Sequence, residues 1–134
     1  MRAGAVSIGQ GMSAALKKSA IKRGAMYWVE LDPTRGAEVA KTRPCFVLSA
    51  SSINQYRRTV VVIPLTTTAT PPAPPLLINI PSAGANSKAR IEHIRAVDKS
   101  RLQRKLGIIS AQDMQAVESA LVELLTLQNS VKTI

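Results

Sequence analysis

The chain has 134 residues, a formal net charge of +10, 46% hydrophobic and 3% aromatic side chains. That length fits one domain with a real core, and the scarcity of aromatics makes the core aliphatic. The composition excludes a disordered chain, no run reaches the ~20 apolar residues of a membrane-spanning helix, and the single cysteine, Cys45, excludes an internal disulfide and fits a reducing cytoplasm.

Residues 1–20 are small, polar and basic, with Arg2, Lys17 and Lys18 but no apolar stretch between them, so no signal peptide is expected. They read as a flexible basic extension, with the folded domain over residues 21–134. Ala25–Leu31 alternates, with Tyr27, Val29 and Leu31 on one side and Met26 and Trp28 on the other, and predicts a strand. It runs into Asp32-Pro33-Thr34-Arg35-Gly36 and a charged loop, and Thr42-Arg43-Pro44 stands at the mouth of the next strand. Pro44–Ala50 and Thr59–Leu65 are near-continuous Val- and Ile-rich runs, as in strands buried on both faces. Cys45 sits in the first of them and reads as a buried structural thiol. Residues 66–75, TTTATPPAPP, form a loop because proline lacks the ladder donor.

Leu76–Ile80 and Arg90–Val97 predict two more strands, and Asp98–Leu102 a short helical turn. Ser110, with Asp113 three residues on, begins an amphipathic helix over about Ala111–Leu127, carrying Met114, Val117, Leu121, Leu124 and Leu125. Five or so short strands followed by one helix predict a mainly β fold: a small, strongly bent antiparallel sheet or barrel closed by the C-terminal helix.

The charge is uneven. Residues 1–24 carry five basic side chains and no acid, and residues 85–105 carry seven basic side chains against Glu92 and Asp98. Such clusters favour a polyanionic partner, although a solvated face reads the same way. One His and one Cys, with no paired carboxylate motif, predict no protein-held catalytic metal and no cofactor. A triad would have to use His93, which reads better as a structural or RNA-contacting residue. Arginine, threonine and a few carboxylates suit metal-free RNA cleavage. There the ribose 2′-hydroxyl attacks the adjacent phosphorus, and the enzyme supplies a base, an acid and cationic donors for the phosphorane. Arg35, Glu38 and Arg43, held between two strands, are placed for that work, since arginine offers fixed bidentate phosphate donors.

In order along residues 22–127 stand RG-x-x-Y-W-V-x-L-D-P-T-x-G-x-E, K-T-R-P, V-V-V-I-P-L-T and R-A-V-D-K-S-R-L. This succession resembles the signatures of the MazF/PemK-like toxins. The resemblance implies an SH3-like small barrel of the CcdB/PemK type and a cytoplasmic homodimer. It further implies a type II toxin–antitoxin toxin that is a sequence-specific, metal-independent endoribonuclease cutting single-stranded RNA such as mRNA. The expected products are a 2′,3′-cyclic phosphate and a 5′-hydroxyl, and a cognate antitoxin with an acidic segment would neutralise the activity. A non-catalytic CcdB-like gyrase poison, or a general nucleic-acid-binding domain on the same fold, is the alternative.

By this resemblance Arg43 is the acid/base or phosphate clamp and Thr66 a hydroxyl donor to the scissile phosphate, with Glu38, Arg90 and Glu92 completing the catalytic set. Arg35, Thr67, His93, Arg95 and Lys99 form the RNA-binding set. Each has a structural reading as well. Arg43 and Arg95 could pair with Asp32 and Asp98, Thr66 could cap the loop, and Glu38 could be a solvated loop acid. The chain departs from the family pattern at Ala37, where some members carry His or Ser, at Val39 in place of Gln, and at Glu92-His93 in place of Asp-Gln.

Overall fold

A computed structural model describes residues 20–32 and 41–128. Its elements are β1 (Ala25–Asp32), β2 (Lys41–Val47), α1 (Ser51–Asn54), β3 (Thr59–Thr67), β4 (Leu77–Asn79), β5 (Ser87–Arg90), β6 (Arg95–Asp98), β7 (Leu102–Ile108) and α2 (Ala111–Leu125). Short 3₁₀ turns occupy Pro81–Ala83, Ile91–His93 and Lys99–Arg101. The strands run β4-β5-β3-β2-β1-β7, and β6 also pairs with β3. Every strand pairing is antiparallel.

Two-sided burial organises the sheet. The pleat sends Phe46 of β2 and Ile63 and Leu65 of β3 to one side, where they pack with Met26, Ile78, Ile91, Met114, Val117 and Leu121. It sends Cys45, Val47, Val60 and Val62 to the other side, to pack with Ile21, Val29, Leu31, Val97 and Leu102. The first cluster lies under α2, and the second lies on the side of the sheet away from it. The expected alternation of β1 is also found: Met26 joins the first cluster, and Tyr27, Val29 and Leu31 the second.

Burial raises the Cys45 thiol pKa to about 12, against the opposing pull of Arg95 and then Arg43. The thiol donates to the Arg43 carbonyl oxygen at 3.7 Å.

Ser110 caps α2 by accepting from the Asp113 N–H at 3.0 Å. The reciprocal arm of the expected capping box is rerouted. Asp113 Oδ2 accepts from the Ser82 N–H and the Ser82 hydroxyl, while Ser82 Oγ accepts from the Ser110 N–H at 2.9 Å. Ser82, in the turn after β4, therefore ties the helix start to the sheet. At the far end α2 stops on Thr126, left-handed at φ 56, whose N–H and that of Leu127 satisfy the Glu123 and Val122 carbonyls.

The chain enters the domain through a second set of ties. Buried Asn54 donates to the Ile21 and Ser49 carbonyls. Arg23 donates to the Leu48 carbonyl at 2.8 Å and pairs with Glu118 of α2 at 2.9 Å.

Four expectations need correction. The second strand is Lys41–Val47, not Pro44–Ala50. The run expected as one strand over Arg90–Val97 is broken by the 3₁₀ turn at Ile91–His93, in which the Ile94 N–H bonds to the Ile91 carbonyl. The sequence does mark the break, since Glu92 and His93 stand side by side and put Ile91 and Ile94 three residues apart, the spacing of a 3₁₀ turn. β7 was not expected, which brings the strands to seven. Gln103, Arg104, Lys105 and Leu106 are all exposed on this edge strand, so no alternation marks it. Its register with β1 slips at Leu106, next to Gly107 at φ 151, where an added Cβ would meet the Met26 side chain at 3.3 Å. Finally, no pairing among the described residues joins the two ends of the sheet. The fold is the bent antiparallel sheet with a C-terminal helix, and the sheet is open.

Two predictions test these contacts. Ser82→Ala removes partners of both Asp113 and the Ser110 N–H, and should cost about 1–3 kcal/mol by urea unfolding. An unchanged midpoint would mean that the helix start holds without the turn. The second concerns pH. The unfolded thiol loses its proton near its ordinary value of 9.0 and the folded one near about 12. Above pH 9 the unfolded state therefore binds fewer protons, and stability should fall as pH rises through this window. Stability curves of the parent and Cys45→Ala should converge across it; parallel curves would contradict the shift.

Candidate nucleic-acid interface

One face of the sheet, from Val62 to Thr66 of β3, gathers the basic side chains. Arg43 and Cys45 are two residues apart in β2, and Pro64 and Thr66 two apart in β3. Cys45 pairs with Pro64, so the pleat sets all four on one face. Thr66 pairs with Lys88 of β5, and Arg90 follows Lys88 by two, so both join this face. On β6, Arg95 pairs with Val62 and joins it too. The positive charges of Arg95 and Arg43 both act on the Cys45 thiol, in line with all three lying on this face. Arg43, Thr66 and Arg95 are half-buried, and Arg90 is exposed. The four strands send no carboxylate to this face: Asp98 of β6 is on the opposite parity from Arg95. Asp98 instead accepts from the Ser100 N–H and faces Arg58 at 3.9 Å.

The remaining candidates fall around this group. Glu92 and His93 lie on the 3₁₀ turn between Arg90 and Arg95, both exposed, with their side chains 3.8 Å apart. Ile91, buried in the first cluster, anchors the turn. Thr67 is exposed at the end of β3, on the opposite face from Thr66. Lys99 is set apart. It follows Asp98, which pairs with Thr59 at the far end of β3, and its N–H bonds to the Arg58 carbonyl. Arg35 and Glu38 lie outside the described residues, as do Ala37 and Val39.

Sequence reasoning missed Lys88 as a site residue. It is 4% exposed, directly across from Thr66, with Nζ donating to the Thr68 carbonyl at 2.8 Å. Its parity with Arg90 was the available signal, obscured because the strand was expected to begin at Arg90.

Chemically, the face offers several fixed cationic donors and a hydroxyl, arranged for a bent polyanion. Among the described residues no group of three or more His, Cys, Asp or Glu side chains could hold a metal ion, and no helix is long and apolar enough to cross a membrane.

Comparison with known proteins identifies the family and the fold. Residues 22–125 match the model of the PemK-like, MazF-like toxins of type II toxin–antitoxin systems. A curated relative, endoribonuclease MazF9 of Mycobacterium tuberculosis, is 31% identical over 109 residues, covering 75% of this chain and 92% of the relative. Among solved structures, MazF from Deinococcus radiodurans superposes with a TM-score of 0.64 at 26% identity, covering 78% of this chain and 96% of its own. A MazE–MazF structure from the same organism superposes with a TM-score of 0.69 at 25% identity, covering 81% and 98%. The arginine-rich face thus stands on the sheet of a known toxin, and the chain belongs to the PemK-like, MazF-like toxin family of type II toxin–antitoxin systems.

Proposed function

We propose that this chain is the RNA-cutting toxin of a toxin–antitoxin pair, a cytoplasmic, metal-independent, sequence-specific endoribonuclease. The observation that carries the reading is that Arg43, Thr66, Arg90 and Arg95 share one face of the sheet, to which these strands send no carboxylate. The scissile phosphate sits against this face. The 2′-hydroxyl attacks the phosphorus, the bond to the 5′-oxygen breaks, and a 2′,3′-cyclic phosphate and a 5′-hydroxyl result. Arg43 and Arg95 donate to the non-bridging oxygens, whose charge grows in the phosphorane, and the Thr66 hydroxyl adds a neutral donor. A base takes the 2′-hydroxyl proton, and an acid gives one to the leaving oxygen. Arg43 serves as clamp and acid, Glu92 or Glu38 as base, and Arg35, Arg90 and His93 line the RNA path. The named MazE–MazF complex supports a cognate antitoxin as partner. An acidic antitoxin segment on the same cationic face would block RNA by competing for the arginines.

Exposed Leu106 and Ile108 on β7, with Leu125 and Leu127 at the end of α2, support a homodimer. Sedimentation at micromolar concentration should show a dimer; a species that stays monomeric would refute it.

The chemistry is tested by RNA cleavage in EDTA, which should proceed and should stop when the scissile nucleotide carries 2′-deoxyribose. Arg43→Ala should lower the rate by roughly two or more orders of magnitude. Thr66→Val should lower it roughly tenfold to a hundredfold. If folded Arg43→Ala cuts like the parent, Arg43 is a structural residue. Binding without cleavage by the parent would favour a non-catalytic nucleic-acid binder.

A further inference from the structure

Lys88 is a buried cation whose bonding is incomplete. An ammonium has three donors, and among the described residues the Thr68 carbonyl is its one acceptor. Burying a charge with unused donors is costly unless something else meets them. Lys88 also lines a cavity of about 200 Å³, with Asn79, Asn86, Ser87, Pro81 and Ala85 among its walls. The cavity adjoins the arginine-rich face, since Lys88 pairs with Thr66 and Ser87 with Thr67.

We infer that this cavity is a base-reading subsite for a guanine flanking the scissile phosphate, with Lys88 as its specificity-determining residue. The inference rests on the cleavage site proposed above. Two donors remain on Lys88, and guanine presents two neighbouring acceptors, O6 and N7, on one edge. The Asn79 and Asn86 amides and the Ser87 hydroxyl can accept from guanine's own N–H groups. Pro81 and Ala85 give apolar surface for the flat ring. A phosphate would use the donors but neither the amide acceptors nor the apolar wall, so the lining favours a base.

The test begins with a cleavage map of the parent protein on a long RNA transcript. Guanine should recur at one fixed position within about two nucleotides of the cut. A synthetic RNA of the best site, with 7-deazaguanine at that position, lacks the N7 acceptor and should be cut roughly tenfold more slowly. Lys88→Met should bring guanine down roughly tenfold to a hundredfold, to the level of the other bases there, while preferences at other positions stand. A map with no guanine near the cut overturns the inference. So does a Lys88→Met protein that keeps the preference, which would leave Lys88 as a tether of Thr68, or one that slows all sequences equally, which marks a phosphate contact. If Lys88→Met does not fold, the 7-deazaguanine result with the parent decides. If the parent cuts no RNA, the cleavage reading fails on its own. The subsite is then judged by fluorescence anisotropy on short RNAs with guanine or 7-deazaguanine, where equal affinities refute it.

Discussion

β3 is the strand on which the rest of the molecule depends. It gives Ile63 and Leu65 to the cluster under α2, and Val60 and Val62 to the cluster on the other side of the sheet. It pairs with β2 along one edge and with β5 and β6 in succession along the other. A strand buried on both faces has no side to spare for polar groups, so its register is strongly specified. Its neighbours inherit that register. Because Ile63 cannot trade places with Val62, Thr66 must lie on the Arg43 side, and the two strands that meet β3's other edge must bring Arg90 and Arg95 to the same side.

The site is built where this two-sided burial ends. Up to Leu65 both faces of β3 are apolar; from Thr66 on, one face opens. Arg43 stands at the equivalent point of β2, beyond buried Cys45. Buried Cys45 keeps its proton, so the arginines meet a neutral thiol and not a competing anion. Fixed cations around a low-dielectric floor interact more strongly with phosphate than the same charges in open water. The apolar core thus contributes to the electrostatics of the site as well as to its placement.

Much of this was legible in the residues. The alternation of β1, the two-faced runs around Cys45 and Val62, and the helix stripe of Met114, Val117 and Leu121 all follow from side-chain period and burial. What was hidden had little or no periodic signature. β7 presents four exposed residues in a row, and the break at Ile91 is marked only by the single three-residue step from Ile91 to Ile94. The openness of the sheet is a global property that no local pattern encodes. At the site, Arg43 and Thr66 stood at recognisable strand ends. Lys88 read as one more surface charge, because its burial comes from the fold around it and not from its neighbours in sequence.

The entry ties have a practical consequence. Asn54, Arg23 and Ile21 fix the start of the domain beside Leu48 and α1, near the Thr59 end of β3. Thr66 stands five residues along β3 from Val61, whose carbonyl accepts from the Leu48 N–H, roughly 15–17 Å away at the usual rise per residue. A fluorescent label, affinity handle or fused protein joined ahead of residue 20 therefore attaches at the Ile21 end of the sheet, nearer Arg95, which lies across from Val62, than Thr66. A surface immobilised through that point would hold each molecule by the Ile21 end, with Thr66 farther from the support than Arg95.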